Sequence, residues 1–259
     1  MSAIHPATVF YPFSGPDFVY VETYFPEARH FILCGLEPVG EPASLDKLFP
    51  LSTTLGWLHA SMRTVLDAGY FITKEMQVDL NCSPLQGALP LLCLMLARHG
   101  DSIVFIHFDK AHAEIHYLRA ADGQPATLDY FSVNLRDDGL RNGGARLVEV
   151  VKQSRPGAAY IKAASYLMHE PDFSVIRNLL LTCPVIVQDD SGIPLRSFDP
   201  GIWNFRTFGT YAPPLEIFQK YYQPDMALLY RTTNPEPLGF GAGYHWSGKT
   251  ANLMIYIRK

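Results

Sequence analysis

The chain has 259 residues, 48% hydrophobic and 18% charged, a balance that excludes a disordered polypeptide and suffices for a substantial core. Its 21 basic and 25 acidic residues give a formal charge of -4. No basic run is present to neutralise phosphates, which disfavours a nucleic-acid reader. No stretch approaches the roughly 20 apolar residues of a membrane span, and residues 1–8 lack the basic start and apolar run of a signal peptide. The expectation is a soluble chain with no membrane span, cytoplasmic unless a leader has been removed.

In chain order, Ser14-Gly15-Pro16-Asp17 reads as a helix start, because a hydroxyl or Gly caps orphan amides and Pro is tolerated in the first turn. A short aromatic helix over 18–25 should follow. Residues 30–36 predict a buried strand ending at Gly35. Helical spacing over 55–66 stops at Asp67-Ala68-Gly69, and a nearly continuous apolar helix over 84–98 closes at His99 and Gly100. From residue 102 the period changes to two, predicting an antiparallel meander of strands over 102–108, 113–119 and 127–133.

After Gly143-Gly144 the helical pattern returns, with Leu147, Val150 and Val151 on one face. Residues 160–168 and 173–182 read as a helical pair separated by Glu170-Pro171-Asp172. A strand over 184–188 runs into Asp189-Asp190-Ser191-Gly192, and 194–198 should return beside it. Helical stretches at 215–222 and 225–230 precede strands over 238–246 and 251–257. With no repeat and no linker tract, the expectation is one α+β domain over 1–259, with a mixed or antiparallel sheet packed by several helices. The alternative boundary lies at Gly143-Gly144.

Four cysteines, Cys34, Cys82, Cys93 and Cys183, sit mostly among apolar neighbours without C-x-x-C spacing and read as buried free thiols. Asn81-Cys82-Ser83 matches a glycosylation sequon without the context that would give it meaning. Gly243 to Thr250 matches the phosphate-binding G-x-x-x-x-G-K-[ST] pattern, but the alternation of Leu253, Ile255 and Ile257 predicts a strand after it where that chemistry requires a helix. A hairpin turn at Ser247-Gly248-Lys249 explains the same letters. The glycines of 239–243 likewise lack a following helix and read as places of close backbone approach.

His107, Asp109, His112, Glu114 and His116 are the densest set of metal-ligand residue types. On a strand, His112, Glu114 and His116 share one face, and Ala113, Ile115 and Tyr117 take the core side. The expectation is a solvated, metal-free face. The Tyr70-x-x-x-Lys74 and Ser44-x-x-Lys47 spacings are short and lack supporting motifs.

The strongest candidate is the acidic turn. Asp189 and Asp190 at the end of a buried strand can supply a general base, a metal ligand or an acceptor for sugar hydroxyls, depending on how each is solvated. The same residues can simply accept turn amides. Ser191 is outside any nucleophile elbow. His245 between aromatic neighbours is the most suggestive histidine. The expected site therefore takes Asp189, Asp190, Ser191 and His245 as catalytic candidates, with Asp17, Ser14, Tyr244 and Trp246 as ligand contacts. At least one of the paired acids should face the principal pocket.

Residues 11–18 (YPFSGPDF), 35–40 (GLEPVG), 164–169 (ASYLMH) and 188–194 (QDDSGIP) together resemble an uncharacterised bacterial protein family. The resemblance covers nearly the whole chain and implies one full-length domain, but no activity. Three functions remain open: a hydrolytic or acid-base enzyme at the Asp189 turn, a module binding a small polar molecule or glycan, and a structural or interaction protein. No cofactor and no metal is expected, and the oligomeric state is open.

Overall fold

The computed structural model describes residues 5–42, 87–245 and 250–259. Its fold is α+β, built on a mixed sheet. The strands are β1 (Thr8–Tyr11), β2 (His30–Gly35), β3 (Ser102–Phe108), β4 (His112–Leu118), β5 (Pro125–Ser132), β6 (Ala158–Ile161), β7 (Val185–Gln188), β8 (Trp203–Gly209) and β9 (Asn252–Arg258). The described α-helices are α1 (Phe18–Tyr24), α2 (Ala88–His99), α3 (Asp137–Asn142), α4 (Ala145–Ser154), α5 (Ser174–Leu180) and α6 (Pro224–Thr232).

Strand order across the sheet is β3-β4-β5-β2-β1-β6-β7-β9-β8. The central run β5-β2-β1-β6-β7 is parallel, and antiparallel pairs extend it on both sides. Parallel strands are covered on both faces and so lose the polar alternation of a half-wet strand. All four residues of β6 are buried, as are the four central residues of β2. One face carries Val9, Tyr11, Phe31, Leu33, Leu128 and Tyr130 against Phe18 and Val21 of α1 and Leu89, Leu92 and Leu96 of α2. The other carries Phe10, Ile32, Cys34, Ile161 and Ile186 against apolar residues of α3 to α6.

This topology fixes where a site belongs. From β1 the chain adds β2 and later β5 on one side, then crosses to add β6 and β7 on the other. Strand order thus reverses between β1 and β6, and open α/β sheets bind ligands outside the carboxyl ends of their strands at such a switch point.

The 102–133 meander is present as β3-β4-β5, and α2 ends at Gly100 (φ 91°), whose amide reaches back to Leu96 and Ala97. Several expectations need correction. Residues 160–168 are no helix: β6 ends at Ile161, and an irregular loop leads to a single 3-10 turn, Leu167–His169. Residues 194–198 do not return beside β7, whose antiparallel partner is β9. Residues 238–245 hold only an isolated bridge between Ala242 and His245, and residue 246 lies outside the described residues. The sheet draws strands from both sides of Gly143-Gly144, which separate α3 from α4. The 55–66 helix, the Ser44 and Tyr70 spacings, Cys82 with its sequon, and the Ser247-Gly248-Lys249 turn also lie outside the described residues. Cys34, Cys93 and Cys183 are buried free thiols. No described helix is long and apolar enough to cross a membrane.

Candidate functional site

Buried polar side chains gather at the carboxyl edge of the parallel run. Ser14 and Asp17 follow β1, Glu37 follows β2, Lys162 follows β6, Asp189, Asp190 and Ser191 follow β7, and Asn252 opens β9; each is at most 5% exposed. Apolar strands deliver them there, because each strand ends where its hydrophobic run ends.

The turn after β1 is stitched to the end of β2. Ser14 Oγ accepts from the Cys34 amide (3.0 Å), and the Gly15 amide donates to Cys34 O (3.0 Å). Gly15 is left-handed (φ 51°). Glu37 folds back over this turn, so close that a Cβ on Gly35 would lie 2.2 Å from Glu37 Oε2. The Glu37 carboxylate accepts from Tyr130 Oη (3.3 Å) and has no cationic partner among the described residues. Burial raises its pKa, partly opposed by backbone amides and Tyr130.

Asp17 is the acid with a counter-charge. Lys162 Nζ lies 2.7 Å from Asp17 Oδ2, both side chains being almost fully buried, and Tyr11 Oη also donates to Oδ2 (3.1 Å). The Lys162 ammonium stands over the Tyr20 ring at 3.3 Å, a cation-π contact.

The loop after Lys162 is strained. Ala163, Ser165 and Tyr166 have φ of 49°, 51° and 55°, and Phe13 in the facing β1 turn has 59°. Left-handed non-glycine residues cost about 1–3 kcal/mol each and persist where surroundings over-determine them. Here the acidic turn does so. The Ala163 amide donates to Asp189 Oδ2 (2.9 Å), the Ala164 amide to Ser191 Oγ (2.8 Å) and the Ser165 amide to Tyr244 Oη (3.0 Å). Asp189 Oδ1 also takes the Ser191 amide (3.0 Å) and hydroxyl (2.5 Å). Asp190 accepts from Tyr166 Oη (2.5 Å) and Asn252 Nδ2 (3.0 Å).

The paired acids are thus 1% exposed each, which corrects the expectation that one faces a pocket. The β7 strand ends under Gly243, whose missing Cβ would sit 1.7 Å from Asp189 Oδ2, and their oxygens are turned into the loop. Cavities of about 470 and 230 Å³ are lined by neither acid nor Ser191. The smaller adjoins the cluster, since it is lined by Gln223, whose Nε2 donates to Asp190 O (3.3 Å), and by Tyr221, stacked on Tyr166.

Among the described residues, Asp189 and Asp190 carry no ion pair. Burial, and for Asp189 the neighbouring Asp190, raises both, against hydrogen bonds that lower them. His245 is 9% exposed and its Nε2 has no partner, nor does Asn252 Oδ1. His245 adds its charge influence at Asp190. Asp17, the Asp189 turn and Tyr244 therefore meet through the 162–166 loop. Trp246 lies outside the described residues.

Glu37, Lys162, Tyr166 and Asn252 belong to the cluster and escaped the sequence reading. Glu37 had a signal, an acid just past a strand and 22 positions after Gly15. Lys162 had none once residues 160–168 read as helix. On the meander, Ala113, Ile115 and Tyr117 do take the core side. The expected solvated face is corrected at His112, which is 4% exposed, stacks on Phe131 and bonds Asp129 (2.5 Å).

No protein-family model, curated protein or solved structure matches this chain.

Proposed function

We propose that the carboxyl edge at the switch point between β1 and β6 binds a small polar molecule carrying vicinal hydroxyls, and specifically a nucleoside without phosphates. The carrying observation is the Glu37 carboxylate, without a cationic partner among the described residues, over the left-handed Gly15 turn at the switch point. In doubly wound sheets an acid about 20 residues past the glycine turn accepts ribose hydroxyls.

Charge narrows the ligand. Among the described residues, four buried acids, Asp17, Glu37, Asp189 and Asp190, stand against one buried lysine that is already paired. The helix end that would cradle a phosphate offers Pro16, which has no amide hydrogen, and the Asp17 carboxylate. Anionic phosphate is repelled there, and a neutral or cationic nucleoside is favoured. Strain concentrated in the loops after β1 and β6 supports a binding role for them.

Calorimetry with adenosine, S-adenosylmethionine, AMP and ATP tests this reading. Saturable binding of one of the first two is expected, with ATP weakest. Glu37→Gln should weaken it at least about tenfold, as loss of a charged acceptor does. Failure of every nucleoside to bind, or equal binding by Glu37→Gln, would overturn the proposal.

The unpartnered Nε2 of His245 beside Asp190 favours a second reading, an acid-base enzyme using Asp189, Asp190, Ser191 and His245. Its mark is turnover lost in His245→Gln while ligand affinity persists. A panel of ester and glycoside substrates left untouched by wild type would count against it.

A further inference from the structure

Away from the carboxyl edge, three ligand groups converge from α1, the end of α2 and the start of β3. Glu22 and Asp101 are buried, with side chains 7% and 1% exposed, and His99 is 54% exposed. Their donor atoms all lie within 4.8 Å of one another. His99 Nδ1 is 3.3 Å from Glu22 Oε2 and 3.5 Å from Asp101 Oδ2, both too long for a good N–H···O bond. Asp101 Oδ1 accepts from the Ala120 amide (2.8 Å), but Asp101 Oδ2 is buried with no hydrogen-bond donor. An unpaired oxygen of that kind requires an explanation.

The nearby cation does not supply one. Arg119 donates to Pro26 O and to Asp122 Oδ2 (3.2 Å). Donors at roughly 2.0–2.2 Å from a tetrahedral zinc ion lie about 3.4 Å from one another, the separation that His99 keeps from both carboxylates.

We propose that Glu22, His99 and Asp101 hold a divalent transition-metal ion of the zinc type. The exposed imidazole marks the side from which the ion enters, and water completes the coordination there. An imidazole with two carboxylates suits zinc better than calcium or magnesium, which prefer all-oxygen shells. The ion clips α1 and the α2 terminus to the β3-β4 pair and stabilises by binding only the folded chain.

The full chain, stripped with a chelator, should take up one equivalent of zinc by elemental analysis, with a rise in thermal midpoint. His99→Gln changes an exposed side chain and should fold. It should weaken zinc at least about tenfold, and Asp101→Asn likewise. Absence of both uptake and midpoint shift in wild type, or undiminished uptake by His99→Gln, would overturn the site. Tighter binding of manganese than zinc would overturn the identity of the ion.

Discussion

Two groups of buried carboxylates in this molecule have opposite surroundings. Asp129 on β5 lies between His112 Nε2 (2.5 Å) and His30 Nε2 (2.6 Å). Burial alone would raise it, but the two imidazoles outweigh burial and hold it below the ordinary range. Asp189 and Asp190 have hydroxyl, amide and backbone partners and, among the described residues, no ion pair; the charge influence of His245 at Asp190 does not offset burial, which drives both upward. The pair lies somewhat deeper than Asp129, so weaker desolvation and the imidazole partners together set the opposite sign at Asp129. A carboxylate with its counter-charge within the fold is a structural device, whereas carboxylates left without one keep free energy available to a ligand.

The comparison breaks most readily at Asp129. Asp129→Ala leaves two imidazoles facing an empty position in the sheet and should lower unfolding free energy by about 3 kcal/mol, as removal of one partner of a buried pair does. Urea unfolding at neutral pH measures it. A loss under about 1 kcal/mol would show that the His-Asp-His row carries no special stability. The sign of its pH dependence is fixed by the lowered pKa. The contribution is present above the carboxyl's unfolded value and disappears as pH falls through the folded one.

The two regions were unequally legible in the sequence. The period-two pattern and the short polar turns exposed β3, β4 and β5, of which β4 carries the in-out alternation in its burial. The parallel core hid itself for the opposite reason: Ala158 to Ile161 is buried on both faces, and a short apolar run of that kind has no period to separate strand from helix. Misreading that strand concealed the switch point, and with it Lys162 as a partner of Asp17. The Asp189 turn was found because Asp, Ser and Gly mark turns wherever they cluster. Its burial was not, because Gly243 and the amides of residues 163–165 that cover it come from distant sequence. The His112 contact was missed likewise, since Asp129 sits 17 residues away on the neighbouring strand.

A histidine whose burial outweighs the neighbouring Glu170 carboxylate gives the next largest effect. His169 is packed between Tyr166 and Tyr221, with Nε2 buried and unpartnered. Burial, followed by the Arg196 charge, pushes its pKa down to about 4. The unfolded imidazole titrates near 6.5. Between those values the unfolded chain binds the extra proton, so stability falls as pH falls, by about 2–3 kcal/mol across the window. His169→Gln should flatten that part of the profile. An unchanged slope in the variant would assign it to other groups.

The smallest effect separates the two kinds of acid most sharply. Asp190→Asn keeps the shape of the side chain. Its amide oxygen still accepts from Asn252, and its nitrogen donates to the Tyr166 oxygen, so the hydrogen bonds survive with one direction reversed. What disappears is one of two adjacent buried charges. Because the folded pKa values are raised, the acids favour folding below the unfolded carboxyl value and lose that contribution as pH rises through the folded value. At pH 8 the asparagine variant should therefore be about 1 kcal/mol more stable than wild type, and near pH 4 the two should unfold alike. Guanidinium unfolding at the two pH values reads the difference directly. If the variant is weaker by a similar amount at both, the Asp190 carboxylate serves the fold as an acceptor for Tyr166 and Asn252. Its likeness to Asp129 would then exceed the contrast, and the case for ligand chemistry would rest on Glu37 alone.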